Sequence, residues 1–489
     1  MAEMLIDELS DELPLVLRGG FEPVVEELNV SDLKVIGEVP RDLNGAYFRN
    51  GPNRKFAADG RYHWYDGDGM LHAAYFDHGR VSYRNRWVRT APLMEEIAAD
   101  RALWKGLRES PRADTPEMPV KNTSNTDVKF HNGRLVTMWY LSGGMYHVDP
   151  MTLETLGPVS FDGAPNLRAS AHSKIDERTG EFLFFDYQKE APYMHYGVVS
   201  AEGKLQSRIP IELPGPRLPH DMAFTEHYAI LHDFPLTYDM EAQKTGRHKL
   251  KFHADWPSRF AIVPRNGTPE QIRWFEAAPT YLLHVINAWE EGDDVVMLGT
   301  PFRLPRDLAG NIEADKFARA WSTMQHRDYL TYEWRFNLKT GKTAERIIDD
   351  TFCCEFPMIN THYQGYKSRY AYAINMVRGS LNQPRFSGLA KYDFETGVIQ
   401  AYSEGRDFFY NEAPFAPADN PQSEDHGYVV SFVWNARDHR SELQIFDARN
   451  FGSGPIARVL MPQRVPNGFH ATWVTAERLA AGGRKSGPG

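Results

Sequence analysis

Short runs of alternating apolar and polar residues recur along most of the chain and predict β-hairpins. In each run an apolar strand ends in an aspartate or polar turn and resumes as a second strand, which is typical of antiparallel pairs. The clearest runs are 145–157, 173–185, 334–347, 391–402 and 444–459. Because similar hairpins are spread so widely, we interpret the chain as stacked antiparallel sheets arranged radially, a β-propeller. A set of separate β-sandwiches is the alternative.

Helical periodicity is confined to two stretches, 95–107 and 315–324. In both, apolar residues recur at the spacing of one helix face, and we expect both helices on one face of the propeller. Segment 97–108 also carries basic residues beside Trp104 and Leu107. That composition suits a peripheral membrane contact. A cap helix packed on the propeller is the other interpretation.

The domain organisation predicted from these patterns is a single unit. We expect an N-terminal segment over 1–30, one catalytic β-propeller over 31–476 and a disordered tail over 477–489. The chain has 42% apolar and 25% charged residues, which is typical of a soluble globular protein. Its first residues lack a basic, then apolar, leader, and no apolar run is long enough for a spanning helix. These features predict a cytoplasmic protein.

Charge and cysteine content narrow the function classes. The formal net charge is −10, which argues against non-specific nucleic-acid binding because that requires a basic surface. The two cysteines, Cys353 and Cys354, are adjacent. They exclude a disulfide framework and a cysteine-based zinc site.

Four of the 18 histidines stand in strand-like runs with apolar or small neighbours. They are His172, His220, His284 and His470. A radial fold could bring them to one axis, and neutral imidazoles suit zinc, copper, iron or nickel. Their spacing alone does not select these four from the 18.

Several ordered motifs surround these histidines, and together they resemble the carotenoid cleavage oxygenases. The motifs are GAYFRNGPN (45–53), YHWYDGDGML (62–71), RNRWVRT (84–90), KNTSNTDV (121–128), EFPMIN (355–360) and NEAPFAP (411–417). The resemblance extends over about 30–475. It implies a seven-bladed β-propeller with a helical cap and Fe(II) held on the axis by the four histidines. It also implies cleavage of a C=C bond by O2 to give two carbonyl products.

The resemblance further implies acidic partners for the ligand imidazoles, since a metal-bound histidine needs an acceptor at its second ring nitrogen. Glu355 and Glu412 match two of the three glutamates that the family uses. At the third position this chain has Tyr140, a departure from the family pattern. A phenol carries no charge at neutral pH, so one histidine is expected to lack an anionic partner.

Substrate class is inferred from the residues expected to line the cavity, Trp64, Tyr65 and Trp139. They resemble the carotenoid branch of the family more than its stilbene branch, which favours a carotenoid or apocarotenoid substrate. Cleavage of a phenylpropanoid alkene is the alternative. Outside the family, an inactive interaction platform and a metal-dependent hydrolase are further interpretations.

Overall fold

The computed structural model describes residues 15–57, 62–107, 120–244, 249–323, 327–379 and 384–485. Seven antiparallel sheets of four to six strands form the blades of a β-propeller, which confirms the predicted fold class. Blades are numbered here from the one that contains both the first and the last strands of the ring.

The strands of blades 1 to 3 run from the innermost outward. Blade 1 contains Ala471–Thr475, Gly45–Pro52, Gly69–Asp77, Arg80–Trp87 and Asn29–Val30. Blade 2 contains Asp127–His131, Arg134–Met138, Tyr146–Val148 and Thr155–Pro158. Blade 3 contains Lys174–Ile175, Phe182–Tyr187, Tyr193–Val199 and Leu205–Glu212.

Blades 4 to 7 complete the ring in chain order. Blade 4 contains Ala223–Phe224, Tyr228–Asp233, Ser258–Pro264 and Arg273–Ala277. Blade 5 contains Leu282–Glu291, Asp294–Pro301, Thr331–Asn337 and Thr343–Asp349. Blade 6 contains Cys354–Met358, Tyr370–Met376, Phe386–Asp393 and Ile399–Tyr402. In blade 7, Phe415–Pro417 and Phe408–Tyr410 both pair with Gly427–Asn435, followed by Arg440–Asp447, Ala457–Leu460 and Val35–Gly37.

All five predicted hairpins are present as antiparallel pairs. Their burial follows from their place in a blade. The inner strand Leu282–Glu291 is buried at its first eight positions, because both of its faces meet neighbouring blades. The outer strand Arg80–Trp87 alternates between buried and more exposed positions, as expected where one face meets water.

The ring is closed by strands from the two ends of the described chain. Ala471–Thr475 pairs antiparallel with Gly45–Pro52, in the register Gly45↔Thr475 to Arg49↔Ala471. Val35–Gly37 pairs with Ala457–Leu460 at the outer edge of blade 7. Both closures join residues more than 400 positions apart, so the first and last blades are held by backbone hydrogen bonds.

Four α-helices and several short elements flank the propeller within the described part of the chain. The helices are Ala91–Ala99, Met240–Lys244, Ala314–Thr323 and Ala476–Lys485. The 3-10 turns are Leu15–Leu17, Gly19–Phe21, Trp64–Asp66, Pro269–Gln271, Thr361–Tyr363 and Ala448–Ser453. Two small ribbons pair Gly143–Gly144 with Arg168–Ala169, and Leu236–Tyr238 with Leu250–Phe252. Within the described residues, no helix is both long and apolar enough to cross a bilayer.

The first predicted helix, 95–107, is only partly correct. The helix begins earlier, with the Thr90 hydroxyl accepting from the backbone N–H of Leu93 at 3.2 Å. It ends at Ala99 because Asp100 adopts the left-handed conformation with φ 52°. The second predicted helix, 315–324, is observed as Ala314–Thr323.

The expected membrane-contact segment, 97–108, is described as far as Leu107, and Arg108 lies outside the described residues. Leu107 is buried, with 4% exposure. Its backbone N–H donates to Asp66 at 2.9 Å. Ile97 is partly exposed. The burial of Leu107 favours a packed cap over an exposed membrane anchor at this residue.

The chain after blade 1 also differs from the expectation of a disordered tail over 477–489, because helix Ala476–Lys485 continues from the last strand. Its Arg478 forms an ion pair with Glu177 beside blade 3. Gly482 lies against Gly133, where a side chain on either residue would collide with the other backbone. This helix is therefore held by tertiary contacts that composition does not reveal. Residues 486–489 lie outside the described residues.

Candidate metal centre

The four histidines selected by the sequence analysis meet at the inner edges of four different blades. His284 lies in the inner strand of blade 5, and the others stand one to three residues before the inner strands of blades 3, 4 and 1. The exposed fractions of His172, His220, His284 and His470 are 3%, 4%, 5% and 6%. Residues nearly 300 positions apart in sequence are thus gathered by the radial arrangement.

The imidazole rings contact one another closely. His172 lies at ring-centroid distances of 4.5 Å from His220, 5.0 Å from His284 and 4.4 Å from His470. The His284 ring is 5.2 Å from His220 and 4.8 Å from His470. Potential ligand atoms of His172, His284 and His470 all lie within 4.8 Å of one another.

Two observations fit a metal ion among these rings. Nε2 of His172 and Nε2 of His284 are buried and have no hydrogen-bond partner among the described residues. Such orphaned atoms are costly unless a ligand or metal satisfies them. Burial also lowers the pKa of His172 and of His220 well below the ordinary value. The His172 and His220 imidazoles are therefore neutral at pH 7 and have lone pairs available for a metal.

Two glutamates hold the outer ring nitrogens of two histidines. Oε1 of Glu412 lies 2.9 Å from Nδ1 of His470, and Oε2 of Glu355 contacts Nδ1 of His284. Burial opposes ionisation of Glu355, but the His284 imidazole outweighs it and keeps the pKa of this carboxyl below its ordinary value. Nδ1 therefore donates to a carboxylate, which leaves Nε2 as the free lone pair directed toward the other rings.

Two aspartates tie neighbouring blades together beside the histidines, and the sequence analysis missed both. Asp127 of blade 2 accepts from the backbone N–H of His172 at 3.0 Å. Asp221, beside the inner strand of blade 4, accepts from the backbone N–H of Val285 at 2.7 Å. Nζ of Lys129 lies 3.1 Å from Asp127, and Nζ of Lys174 lies 2.6 Å from Asp221.

Glu412 extends this pattern, because its Oε2 accepts from the backbone N–H of Ala471. In three places, then, a carboxylate on one blade accepts a backbone N–H on the following blade, at or beside a histidine. We call Asp127, Asp221 and Glu412 the inter-blade carboxylates. The only signal for the two aspartates in sequence is an Asp at an inner strand, which is too common to be selective.

Tyr140, which stands where the resemblance led us to expect a glutamate, lies beside this cluster. Its ring centroid is 6.3 Å from that of His220 and 4.6 Å from that of Tyr65. Burial raises the pKa of Tyr140 well above its ordinary value, so the phenol is neutral. Among the described residues, no carboxylate is hydrogen-bonded to a ring nitrogen of His172 or His220. Two of the four histidines, His172 and His220, thus lack an acidic partner, one more than expected from the sequence.

The residues expected to line a substrate cavity lie at different distances from the histidines. Trp64 and Tyr65 contact Phe469, the neighbour of His470, at centroid distances of 4.5 and 4.8 Å. Trp139 is one ring further out, with its centroid 6.3 Å from that of Tyr140. All three are buried.

The structure adds aromatic residues that sequence reasoning did not single out. Phe356 lies 4.9 Å from His284 and 5.1 Å from His470, measured between ring centroids. Trp321, on helix Ala314–Thr323, lies 6.4 Å from His220. Together with Tyr65 and Phe469, these rings make the surroundings of the histidines largely aromatic. Phe356 directly follows Glu355 within the motif 355–360, and this position is the one signal that could have identified it.

A polar cavity of about 70 Å³ also reaches the histidines. Its lining joins His172, His284 and His470 to charged residues, namely Lys129, Lys174, Glu177, Asp221, Glu412 and Arg478. The histidines thus have both polar and aromatic neighbours. This arrangement can hold a cation while presenting an apolar surface to a second molecule.

Comparison with known proteins gives consistent matches over nearly the whole chain. The family model described as retinal pigment epithelial membrane protein (RPE65) matches residues 21–475. A carotenoid 9,10(9',10')-cleavage dioxygenase of Phaseolus vulgaris is 32% identical, with 95% of this chain and 90% of that protein covered.

Solved structures agree with this match. A lignostilbene dioxygenase of Pseudomonas brassicacearum is similar with a TM-score of 0.84 and 29% identity, covering 96% of this chain and 100% of that one. A cobalt-substituted apocarotenoid oxygenase of Synechocystis is similar with a TM-score of 0.83 and 26% identity, covering 94% and 98%.

Proposed function

Because the chain belongs to the RPE65/carotenoid cleavage oxygenase family, we propose that it cleaves a C=C bond of a carotenoid or apocarotenoid with O2. The products would be two carbonyl compounds. The observation that carries this proposal is the buried cluster of four histidines, in which the Nε2 atoms of His172 and His284 have no hydrogen-bond partner among the described residues. Glutamates at two outer nitrogens complete an arrangement suited to a divalent metal.

We assign Fe(II) to His172, His220, His284 and His470. When bound, the iron would supply the redox chemistry that brings O2 to react with an alkene. Neutral imidazole ligands carry no negative charge, so the iron would keep its double positive charge. Glu355 and Glu412 hold His284 and His470 in one tautomer and orientation, so that Nε2 stays available.

The protein's further contribution is to bind and orient a long apolar molecule beside the histidines. Tyr65, Phe356, Phe469 and Trp321 offer ring faces and edges against which a conjugated chain can pack. Such a wall excludes water from the reacting bond and limits the positions that an alkene can take. The substrate should therefore be lipophilic and conjugated.

Cleavage of the side-chain alkene of a phenylpropanoid or stilbene is the second candidate. It is favoured by the similarity to a lignostilbene dioxygenase over the whole of that chain. It is also favoured by phenolic groups close to the histidines. The Tyr140 ring centroid lies 6.3 Å from that of His220 and 4.6 Å from that of Tyr65. A compact phenol would find hydrogen-bonding groups there.

Metal analysis and a substrate panel together test the proposal. Protein purified without chelator and reconstituted with Fe(II) should contain about one iron per chain. It should convert a β-apocarotenal to two carbonyl products under air, with mass analysis identifying the cleaved bond. Resveratrol and isoeugenol form the phenylpropanoid arm. Stoichiometric iron with no O2-dependent cleavage of any of these substrates would contradict the proposed activity.

A further inference from the structure

A buried cation stands beside the aromatic residues near the histidines. Arg327, in the segment before strand Thr331–Asn337, is 4% exposed. Among the described residues no ion pair includes it, whereas the similarly buried Arg265 pairs with Asp176 and Glu181. Burying a guanidinium without a carboxylate partner lowers the stability of the fold, so folding by itself does not account for its presence.

The neighbours of Arg327 connect it to the histidine cluster by two routes. The Tyr65 hydroxyl interacts with its guanidinium, and the Tyr65 ring contacts Tyr140, which contacts His220. On the other side, the Tyr329 ring lies 4.5 Å from Phe302. Phe302 in turn contacts Trp321, at 5.6 Å, and Trp321 contacts His220.

A second buried polar group, the Tyr329 hydroxyl, lies two residues further along the chain. The Tyr329 side chain is completely buried, and its hydroxyl has no hydrogen-bond partner among the described residues. Burial raises the pKa of Tyr65 and of Tyr329, and the charge of Arg327 opposes that rise. Burial and two neighbouring histidines lower the pKa of His220, and Arg327 lowers it further. Tyr65, Arg327 and Tyr329 thus form a small polar group in otherwise aromatic surroundings, which we call the Arg327 group.

We propose that the Arg327 group binds an oxygen substituent of the substrate, either a carbonyl, a carboxylate or a phenolic oxygen. This inference rests on the proposed function only in taking the aromatic surroundings of the histidines as the substrate's binding place. A guanidinium presents five N–H donors in a planar fork and suits oxygens that carry partial or full negative charge. The Arg327 group would then fix which double bond lies beside the histidines, by anchoring the oxygenated end of the molecule.

A purely structural role for Arg327 gives different expectations. The charge of Glu355 also acts on Arg327, so Arg327 could simply balance this carboxylate behind His284. In that case its loss would weaken metal binding and would affect all substrates equally. Substrate recognition instead predicts an effect that depends on whether the ligand carries oxygen.

The test compares oxygenated and hydrocarbon ligands in Arg327→Met, Arg327→Lys and the unchanged protein, all loaded with Fe(II). One series is a hydrocarbon carotenoid, an apocarotenal and an apocarotenoic acid; the other is stilbene and 4-hydroxystilbene. Binding is measured without O2 by quenching of tryptophan fluorescence, and kcat/KM is measured separately under air. Arg378→Met is the matched control, because Arg378 pairs with Asp328 next to Arg327 and is partly exposed.

For Arg327→Met we expect oxygenated ligands to bind roughly 10- to 100-fold more weakly, the range for a lost hydrogen bond to a charged group. The affinity for hydrocarbon ligands and the iron content should be unchanged in Arg327→Met. Arg378→Met should bind all ligands as the unchanged protein does. Arg327→Lys should recover part of the loss. The series that responds identifies whether the bound oxygen is carbonyl, carboxylate or phenolic.

Three results would overturn the inference: equal loss for oxygenated and hydrocarbon ligands, no loss for either, or loss of iron from Arg327→Met. The binding assay separates this inference from the proposed function. If selective binding is seen but no ligand is cleaved under air, the activity is wrong and the recognition by Arg327 stands. If the ligands are cleaved but oxygenated and hydrocarbon ligands bind alike, the proposed activity stands and the recognition by Arg327 is wrong.

Discussion

Oε1 of Glu412 lies 2.9 Å from Nδ1 of His470, and its other carboxylate oxygen accepts the backbone N–H of Ala471. One side chain from blade 7 thus fixes both the ring of His470 and the backbone of the residue that follows it in blade 1. A substitution at Glu412 should therefore act on the orientation of His470 as well as on its basicity.

Glu355→Gln and Glu412→Gln should each weaken Fe(II) binding or lower the turnover rate by roughly 10- to 100-fold. The amide keeps the size of the side chain but no longer offers an anionic acceptor to Nδ1. Competition with a chelator measures the affinity. Glu291→Gln is the control, since Glu291 pairs with Arg335 and Lys367 away from the histidines. Unchanged affinity in both variants would remove the assigned role of these glutamates.

Replacing any one of His172, His220, His284 and His470 by alanine should abolish stoichiometric iron binding and cleavage. Each imidazole supplies one of four nitrogen ligands, and alanine supplies none. Iron per chain is measured by atomic emission, with circular dichroism to confirm folding. His227→Ala serves as the control because His227 is exposed and pairs with Glu290. Stoichiometric iron in folded His284→Ala would contradict the ligand assignment.

Tyr140→Glu should raise the affinity for Fe(II) by roughly tenfold, because it would supply a carboxylate near His220, which lacks one. Tyr140→Phe should leave the affinity within about threefold, since it removes only a neutral hydroxyl. Both affinities are measured by the chelator assay. If Tyr140→Phe loses iron as completely as the histidine variants do, Tyr140 is itself essential to the centre.

His232 should make the metal-free protein less stable in acid. Burial lowers the pKa of His232 to about 4, and neither ring nitrogen has a hydrogen-bond partner among the described residues. An unfolded chain protonates this imidazole near pH 6.5. Between pH 6.5 and 4 the unfolded state therefore binds more protons, and the folded state loses stability as pH falls.

The loss due to His232 should reach about 3 kcal/mol by pH 4 and should be absent in His232→Leu. Urea unfolding of both proteins at several pH values between 7 and 4 measures it. Burial is required for this effect, so the exposed His362 gives a control: His362→Leu should keep the pH dependence of the unchanged protein. Parallel pH profiles for His232→Leu and the unchanged protein would contradict the prediction.

The repeating hairpins and the motif residues could be predicted because each is a local pattern. A strand, an Asp-containing turn and a second strand are readable within about 15 residues, and the histidine contexts are equally local. The contact between His284 and Glu355 is different, because it joins two blades and the two residues are 71 positions apart in sequence. It was reached through resemblance to a family, and spacing alone would not have given it.

What the sequence did not reveal depends on three-dimensional neighbours. Asp127, Asp221 and Arg327 carry no distinctive local context, and their roles follow from what lies across a blade boundary or a cavity. Helix Ala476–Lys485 has a Gly-rich composition typical of a tail, and its order follows from contacts with Gly133 and Glu177. The first helix is shorter than its apolar spacing indicates, because Asp100 turns the backbone.

The closure of blade 1 by Ala471–Thr475 determines the order in which the chain folds and can bind a metal. His470 stands directly before this strand and reaches the axis only when the strand pairs with Gly45–Pro52. During synthesis the first blade must wait, incomplete, until all the other blades have been made. A nascent or C-terminally clipped chain therefore offers at most three of the four histidines. We therefore expect the proposed metal to bind only after ring closure, when all four imidazoles are in place.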